Sequence, residues 1–252
     1  MVERKLLGPG NISVLPSRLY AWAGHLVRIS LFNPRCQCCG NLLAYSYEKG
    51  ICRECREKIS PYIGPVCKKC GKALPENLDI CGDCLADPPP FRKHVSYTRY
   101  QGIMKDMIIR YKFKGAGDLK KDLADCLAEL FRNEDEKNFD WIIPVPDDPG
   151  RKREYRPIQI IARRLSRQLE IPVMKNNLIK VRKTEPQVGL SQAKRLRNLD
   201  GAFRIKNPGI LKKQTVLLID DVYTTGTTVK KCSVQLEKAG ARVVAMTLAR
   251  SI

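Results

Sequence analysis

VLLIDDVYTTGTTV, residues 216–229, decides the fold. An apolar run stops on two adjacent carboxylates, Asp220 and Asp221, and gives way to threonines arranged around one glycine. TVLLID (215–220) reads as a strand, TTVKKCSVQLEKAG (227–240) as a helix closed by Gly240, and RVVAMTL (242–248) as a further strand. A loop of small residues feeding a helix N-terminus exposes backbone amides where the helix dipole favours an anion. A phosphate is therefore the natural guest of Thr224, Thr225, Gly226, Thr227 and Thr228. The acidic pair cannot hold that same phosphate. Carboxylates beside an anion site make sense if they accept hydrogen bonds from a sugar diol or help to hold a metal. The plainer alternative is a solvated acidic turn capping the helix. A Walker-type loop is excluded, because the chain has no Gly-x-x-x-x-Gly-Lys-Ser/Thr and the acids precede the loop.

Working outward, helices and strands alternate. Ile103, Met104, Met107, Ile108 and Tyr111 recur at helical spacing, as do Leu119, Leu123, Cys126, Leu127 and Leu130. FDWIIPVP (139–146) reads as a buried strand ended by prolines. Pro157 to Glu170 reads as an amphipathic helix with Ile158, Ile161, Ala162, Leu165 and Leu169 inward and Arg163, Arg164 and Arg167 outward. Strands separated by helices point to a parallel sheet in an α/β domain, whose ligands bind beyond the carboxyl ends of the strands.

Nine of the eleven cysteines fall between residues 36 and 84. Four Cys-x-x-Cys pairs stand out: Cys36 with Cys39, Cys52 with Cys55, Cys67 with Cys70, and Cys81 with Cys84. Two thiolates at that spacing reach one metal from a tight turn, so four pairs make two closed four-thiolate zinc sites. Disulfides belong to oxidising compartments, and a redox Cys-x-x-Cys would be expected once, near a βαβ pattern. The gaps suit two successive ribbons or knuckles, and a cross-braced pairing is also open. Cys38 is a spare thiol or a replacement ligand. Cys126 and Cys232 lie on helical patterns and read as small buried apolar residues. ADPPPF (86–91) stiffens the chain as a linker. Three parts result: an N-terminal segment over 1–33, with helix its expected form; a Cys-rich double zinc module over 34–87; and an α/β domain over 91–252.

No stretch approaches the roughly 18 apolar residues of a membrane span. The N-terminal 32 residues break their apolar run with Gly8, Pro9, Pro16, Arg18 and Arg28, a poor secretory signal, so the cytoplasm is the expected location. The formal charge is +20, and residues 151–213 alone hold 18 Lys and Arg against 4 Asp and Glu. A solvated basic face is the bland account. Concentration into one segment favours a polyanion such as single-stranded DNA, a polyphosphate-bearing metabolite, or both.

VLLIDDVYTTGTT resembles the motif with which type I phosphoribosyltransferases bind phosphoribosyl pyrophosphate. Further stretches carry the likeness: the Cys-rich front, Tyr100-Gln-Gly102, Lys112-Phe-Lys-Gly115, Pro144-Val145-Pro146, and Thr184-Glu-Pro-Gln187-Val-Gly-Leu190 through Arg195, Asn198 and Gly201-Ala-Phe203. With these, the chain resembles the ComF family from about residue 34 onward. These are bacterial proteins with a zinc module before a phosphoribosyltransferase-like domain, associated with DNA uptake and natural competence. The resemblance implies phosphoribosyl pyrophosphate and magnesium as ligands, and competence-machinery proteins as partners. It implies that Asp220 and Asp221 meet the ribose 2′ and 3′ hydroxyls and that Thr224 to Thr228, with Gly226, cradle the 5′-phosphate. Pro144, Val145, Pro146 and Arg151 would form the pyrophosphate loop, with Lys152 and Arg153 nearby. The segment from Arg182 to Arg197 corresponds to a mobile loop over the site, with Arg182, Gln187, Arg195 and the adjoining Asn198 as its candidate residues.

The chain departs from the family at Tyr155-Arg-Pro-Ile-Gln159, where Arg-Gly-Phe-Asn-Gln is frequent, and at Asp147 and Asp148, where an apolar residue and a His are. Those acids attract Mg2+ or repel the diphosphate. No acceptor for a transferred sugar is visible. His25 and His94 read as surface or packing residues, and no aromatic cluster suggests a nucleobase clamp. A phosphoribosyl transfer enzyme and a DNA-handling accessory that keeps the site as a ligand site both remain open. Only Tyr155 and Phe203 are aromatic in the basic segment, few for stacking on single strands.

Overall fold

The computed structural model describes residues 35–43, 50–149, 156–185, 194 and 197–251. The helix expected within 1–33, and Arg151, Lys152, Arg153, Gln187 and Arg195, lie outside the described residues. Two short helices, α1 (Arg53–Glu57) and α2 (Gly82–Ala86), belong to the Cys-rich front. There follow β1 (Lys93–Arg99), α3 (Gly102–Phe113), α4 (Lys120–Arg132), β2 (Trp141–Pro144), α5 (Pro157–Leu169), β3 (Leu178–Lys180) and β4 (Phe203–Ile205). The chain then runs through β5 (Thr215–Tyr223), α6 (Thr227–Lys238) and β6 (Arg242–Arg250). β1, β6, β5 and β2, in that order, form a parallel sheet, and β3 pairs with β4 antiparallel.

The central strands β5 and β6 are apolar almost throughout because both faces of the sheet are covered. Leu217 and Ile219 pack on one face with Met104, Met107 and Ile108 of α3, Leu123 and Leu127 of α4, and Ile161 and Leu165 of α5. Val216 and Leu218 pack on the other with Val229, Cys232 and Leu236 of α6, Phe203, and the four cysteines of the second group. Cys126 and Cys232 are buried in their helices, as expected. Pro157 starts α5, where its missing N–H costs nothing, and Glu170 ends it in the left-handed conformation.

Two boundaries differ from expectation. β5 continues three residues past Asp220, because β6 also runs on, and Tyr223 still pairs with Arg250. β2 is shorter than the 139–146 run, although the Val145 amide donates to the Ile219 carbonyl at 2.9 Å and carries the ladder one step further.

The cysteines form two successive groups, Cys36, Cys39, Cys52 and Cys55, then Cys67, Cys70, Cys81 and Cys84, with all sulfurs of a group within 4.8 Å of one another. This selects successive ribbons over cross-bracing. Cys39 and Cys52 Sγ lie 3.7 Å apart, and Cys70 and Cys81 Sγ 3.6 Å. A tetrahedron with Zn–S arms of about 2.3 Å has edges of about 3.8 Å, whereas a disulfide closes to about 2.05 Å. The donor set therefore fits zinc. The two ribbons repeat one another. Cys36 and Cys67 each open a tight turn that closes at Gly40 and Gly71, both at positive φ, through amide-to-carbonyl bonds of 3.0 and 2.8 Å. Cys52 and Cys81 each cap a short helix and donate their amides to Cys36 and Cys67 Sγ, both at 3.3 Å. Burial opposes ionisation of Cys36 and Cys67, but backbone amides outweigh it and hold their thiols at about 6 and about 7. Cys38 stands outside both groups, and burial with the neighbouring Cys36 pushes its thiol up to about 12.

The wild-type chain is expected to carry two zinc ions by elemental analysis. Cys36→Ser and Cys67→Ser should each lower the content to about one, because each removes one ligand from one closed site. Less than one equivalent in the wild type would contradict both sites.

Candidate functional site

Asp220 and Asp221 lie in the second half of β5, not beyond its end. Successive residues of a strand face opposite sides of the sheet, so the two carboxylates diverge. Asp221 lies on the Leu217 and Ile219 face, where Lys112 near the end of α3 forms an ion pair with it. Burial opposes the charge on Lys112, and Asp221 and Asp220 together overcome it and raise its pKa. Tyr100 stands within reach of the same two charges; burial lifts its phenol, with Asp221 adding to the shift and Lys112 opposing it. Asp220 accepts the Asp221 amide at 2.9 Å. Burial, then the Asp221 charge, raises its pKa to about 8, with Asp147 adding and Lys112 opposing.

Three residues on, the chain turns through Thr224 and Thr225 to Gly226, which caps α6 at φ 73 with no side-chain capping bond. The amides of the first turn of α6 therefore point out of the helix toward the carboxyl edge of the sheet. Thr225 and Thr227 bond to each other through their hydroxyls at 2.8 Å, which fixes the loop between them. Thr227 is buried and Thr224 exposed. Acids and threonines thus meet at one edge, as the sequence suggested.

Val145, bonded to Ile219, brings Pro144 and Pro146 alongside the acids on the neighbouring strand. Next to them opens a cleft of about 290 Å3 lined by Pro146, Asp147, Asp148, Lys175, Lys180 and Lys206, among others. Asp148 pairs with Lys180 at 2.8 Å and accepts from the amide and hydroxyl of Thr184, each at 3.1 Å. That binds the 144–149 turn to the start of the segment likened to a mobile loop. At the neck of that segment Arg182 donates to the carbonyls of Asn198 and Asp200, at 2.9 and 2.6 Å. Asn198 exchanges bonds of 3.0 and 3.1 Å with the backbone of Glu185. Arg182 and Asn198 thus close the neck of the segment.

Sequence reasoning gave Lys112 no role, although a lysine four residues after the buried Ile108, on an apolar helix face, was a usable signal. Of the two readings the sequence left for His94, surface or packing, the structure selects packing: it is fully buried and stacks on Tyr223 with ring centroids 4.0 Å apart. His94 Nδ1 meets the Cys70 carbonyl at 2.8 Å, and since a carbonyl only accepts, Nδ1 carries the hydrogen and Nε2 faces the Thr247 hydroxyl at 3.0 Å. Burial lowers its pKa to about 3, which makes it a neutral packing residue.

The raised pKa of Asp220 sets the sign of a pH dependence. The folded chain keeps a proton that the unfolded chain releases near the ordinary value of 3.8, so this stabilisation is lost as pH rises through about 8. Asp220→Asn should therefore gain in thermal midpoint over the wild type between about pH 5 and about pH 9. An unchanged difference across that range would refute the assignment.

Residues 28–85 match the double zinc ribbon domain family and residues 116–250 the phosphoribosyl transferase domain family. Competence protein F of Haemophilus influenzae is 33% identical over 224 residues, covering 86% of this chain and 96% of that protein. The DNA utilization protein YhgH of Salmonella typhimurium is 29% identical, covering 83% and 93%. Competence protein ComFC of Bacillus subtilis is 27% identical, covering 81% and 85%. Among the described residues no helix is long and apolar enough to cross a membrane. With a double zinc ribbon in front of a phosphoribosyltransferase-type domain, and these relatives aligned over most of their length, the chain belongs to the ComF family.

Proposed function

We propose that the chain binds phosphoribosyl pyrophosphate with Mg2+ along the carboxyl edge of β5 and β2, as part of a role in DNA uptake, a reading supported by relatives named as competence proteins. One observation carries the reading: on a single strand and turn, two carboxylates are followed within a few residues by an uncapped helix N-terminus ringed with threonines. In this reading the amides and hydroxyls of Thr224 to Thr228 take the 5′-phosphate. Asp220 and Asp221 receive the ribose hydroxyls, and Lys112 keeps the acids from repelling each other and the ligand. The turn from Pro144 to Pro149 lies where the diphosphate would be. Mg2+ supplies counter-charge to the diphosphate when bound, and Asp147 and Asp220 are the carboxylates that would help to hold it. Asp148 is committed to Lys180 and Thr184.

The chemistry such a site supports is displacement of diphosphate from C1 of the sugar, through a transition state with oxocarbenium character. The residues of this chain would then grip the sugar and its 5′-phosphate, hold C1 in place and limit water at the reacting carbon. The domain division at residues 34–87 and 91–252 is part of the same proposal, with the ribbons as a stabilising and docking module.

Asp220→Asn combined with Asp221→Asn should abolish phosphoribosyl pyrophosphate binding in a calorimetric titration with Mg2+. Equal affinity in wild type and double variant would overturn the site. Single-stranded DNA is the second proposed ligand, favoured by the 18 cations between residues 151 and 213, including Arg163 and Arg167 on the exposed side of α5. Its affinity should fall steeply with salt as counterions are released. A flat salt dependence, or no binding at low salt, would remove DNA from the proposal.

A further inference from the structure

We propose that Tyr223 is a positioning residue for the threonine loop and that it takes its own position from the second ribbon. The proposal rests on reading that loop as the phosphate site. Tyr223 is the last residue of β5, is 3% exposed, and immediately precedes Thr224. Its phenol lies against Gly226, and a Cβ built at Gly226 would overlap both the hydroxyl and the ring. The left-handed turn that opens α6 is thus moulded on the tyrosine. Interiors are packed too closely for the ring to shift without moving the loop.

The ring is itself clamped. His94 stacks on it with planes 29° apart, the Arg250 guanidinium lies over it at 4.5 Å, and Phe91 meets it edge-on at 6.5 Å. His94 and Arg250 share one anchor, the carbonyl of Cys70, at 2.8 and 2.6 Å. Cys70 belongs to the second four-cysteine group, and a Cβ on the next residue, Gly71, would approach the His94 carbonyl oxygen to 3.0 Å. A second strap runs from the end of that ribbon to α6, where Lys230 pairs with Asp87 at 2.8 Å. The first ribbon docks elsewhere, through the Arg56–Asp122 ion pair on α4 and the Tyr62 amide bonded to the Tyr97 carbonyl at 2.9 Å. Among the described residues it is therefore the second metal site, and not the first, that is linked to the loop. Zinc held there fixes the Cys70 peptide, which fixes His94 and Arg250, which fix the ring beneath Gly226.

Amide hydrogen exchange of residues 224–228 in the full ligand-free chain tests this, because exchange reports local opening. Cys84→Ser, which empties the second site, should speed exchange there by about tenfold, within the usual range of coupling between sites. Cys39→Ser, which empties the first, should leave it at the wild-type rate. Equal acceleration by both, or by neither, overturns the proposal. Tyr223→Leu, checked to hold two zinc ions, should show the same fast exchange, and adding Cys84→Ser to it should add nothing further at the loop. Tyr223→Phe keeps the stacked ring and should stay within about twofold of the wild type. Slow exchange in Tyr223→Leu with its zinc complete also overturns the proposal. In calorimetry Tyr223→Leu should bind phosphoribosyl pyrophosphate about tenfold more weakly and Tyr223→Phe normally. A wild type that binds none would end the phosphate reading, while the exchange measurements would still decide the strut.

Discussion

The ladder between β5 and β6 holds the site in shape. Its register runs from Thr215 opposite Arg242 to Tyr223 opposite Arg250, and Ser251 adds an amide bond to the Tyr223 carbonyl at 2.9 Å. Because the pairing with β6 persists past residue 219, the two acids sit on a strand still held by its neighbour, and their side chains leave it in fixed and opposite directions. Carboxylates at the rim of a covered sheet are costly, since burial and mutual repulsion both disfavour their charge. The protein meets that cost in two ways: Lys112 neutralises Asp221, and Asp220 takes a pKa that lets it hold a proton. A strand ending at Asp220 would have released both acids to solvent.

The two ribbons are near copies in their turns, caps and sulfur geometry, and they differ in what lies beneath them. A module of about 50 residues has little core of its own, so the metal must supply much of its stability. Residues outside the metal sites decide where that stability is delivered. The first ribbon places Ile51, Cys55 and Ile59 in the core cluster shared with α3 and α4. The second places its cysteines in the cluster that contains Tyr223 and Val229 of the threonine loop's own flanks. One copy thus braces the helical face of the domain and the other the edge that carries the threonine loop.

Much of this was legible in the sequence because the signals were local. Cys-x-x-Cys spacing and apolar repeats at helical period each act within a few residues, and the structure follows the repeats closely at α3, α4 and α5. The acid pair and the threonines were legible for the same reason. What escaped required knowledge of partners far along the chain. Lys112 meets Asp221 across more than a hundred residues, and Arg250 reaches back to Cys70. The run of β5 to Tyr223 depended on how far β6 continued, which neither strand reveals alone. Arg182, which the resemblance placed in a mobile loop over the site, donates to backbone carbonyls at Asn198 and Asp200, far along the chain from it.

That allocation of charge bears on what the site can do. Asp148 with Lys180, Lys112 with Asp221, and Arg182 with its carbonyls are each satisfied within the protein. In the proposed reading, a diphosphate entering beside Pro146 would meet a prearranged rim, with Arg156, Lys175 and Lys206 as further cations lining the cleft. Fixed dipoles of this kind need little reorganisation when charge develops on a leaving group, whereas flexible lysines in water would have to be drawn in at entropic cost. The threonine loop is prearranged in the same sense, by Gly226 lying on Tyr223 and by the hydroxyl bond between Thr225 and Thr227.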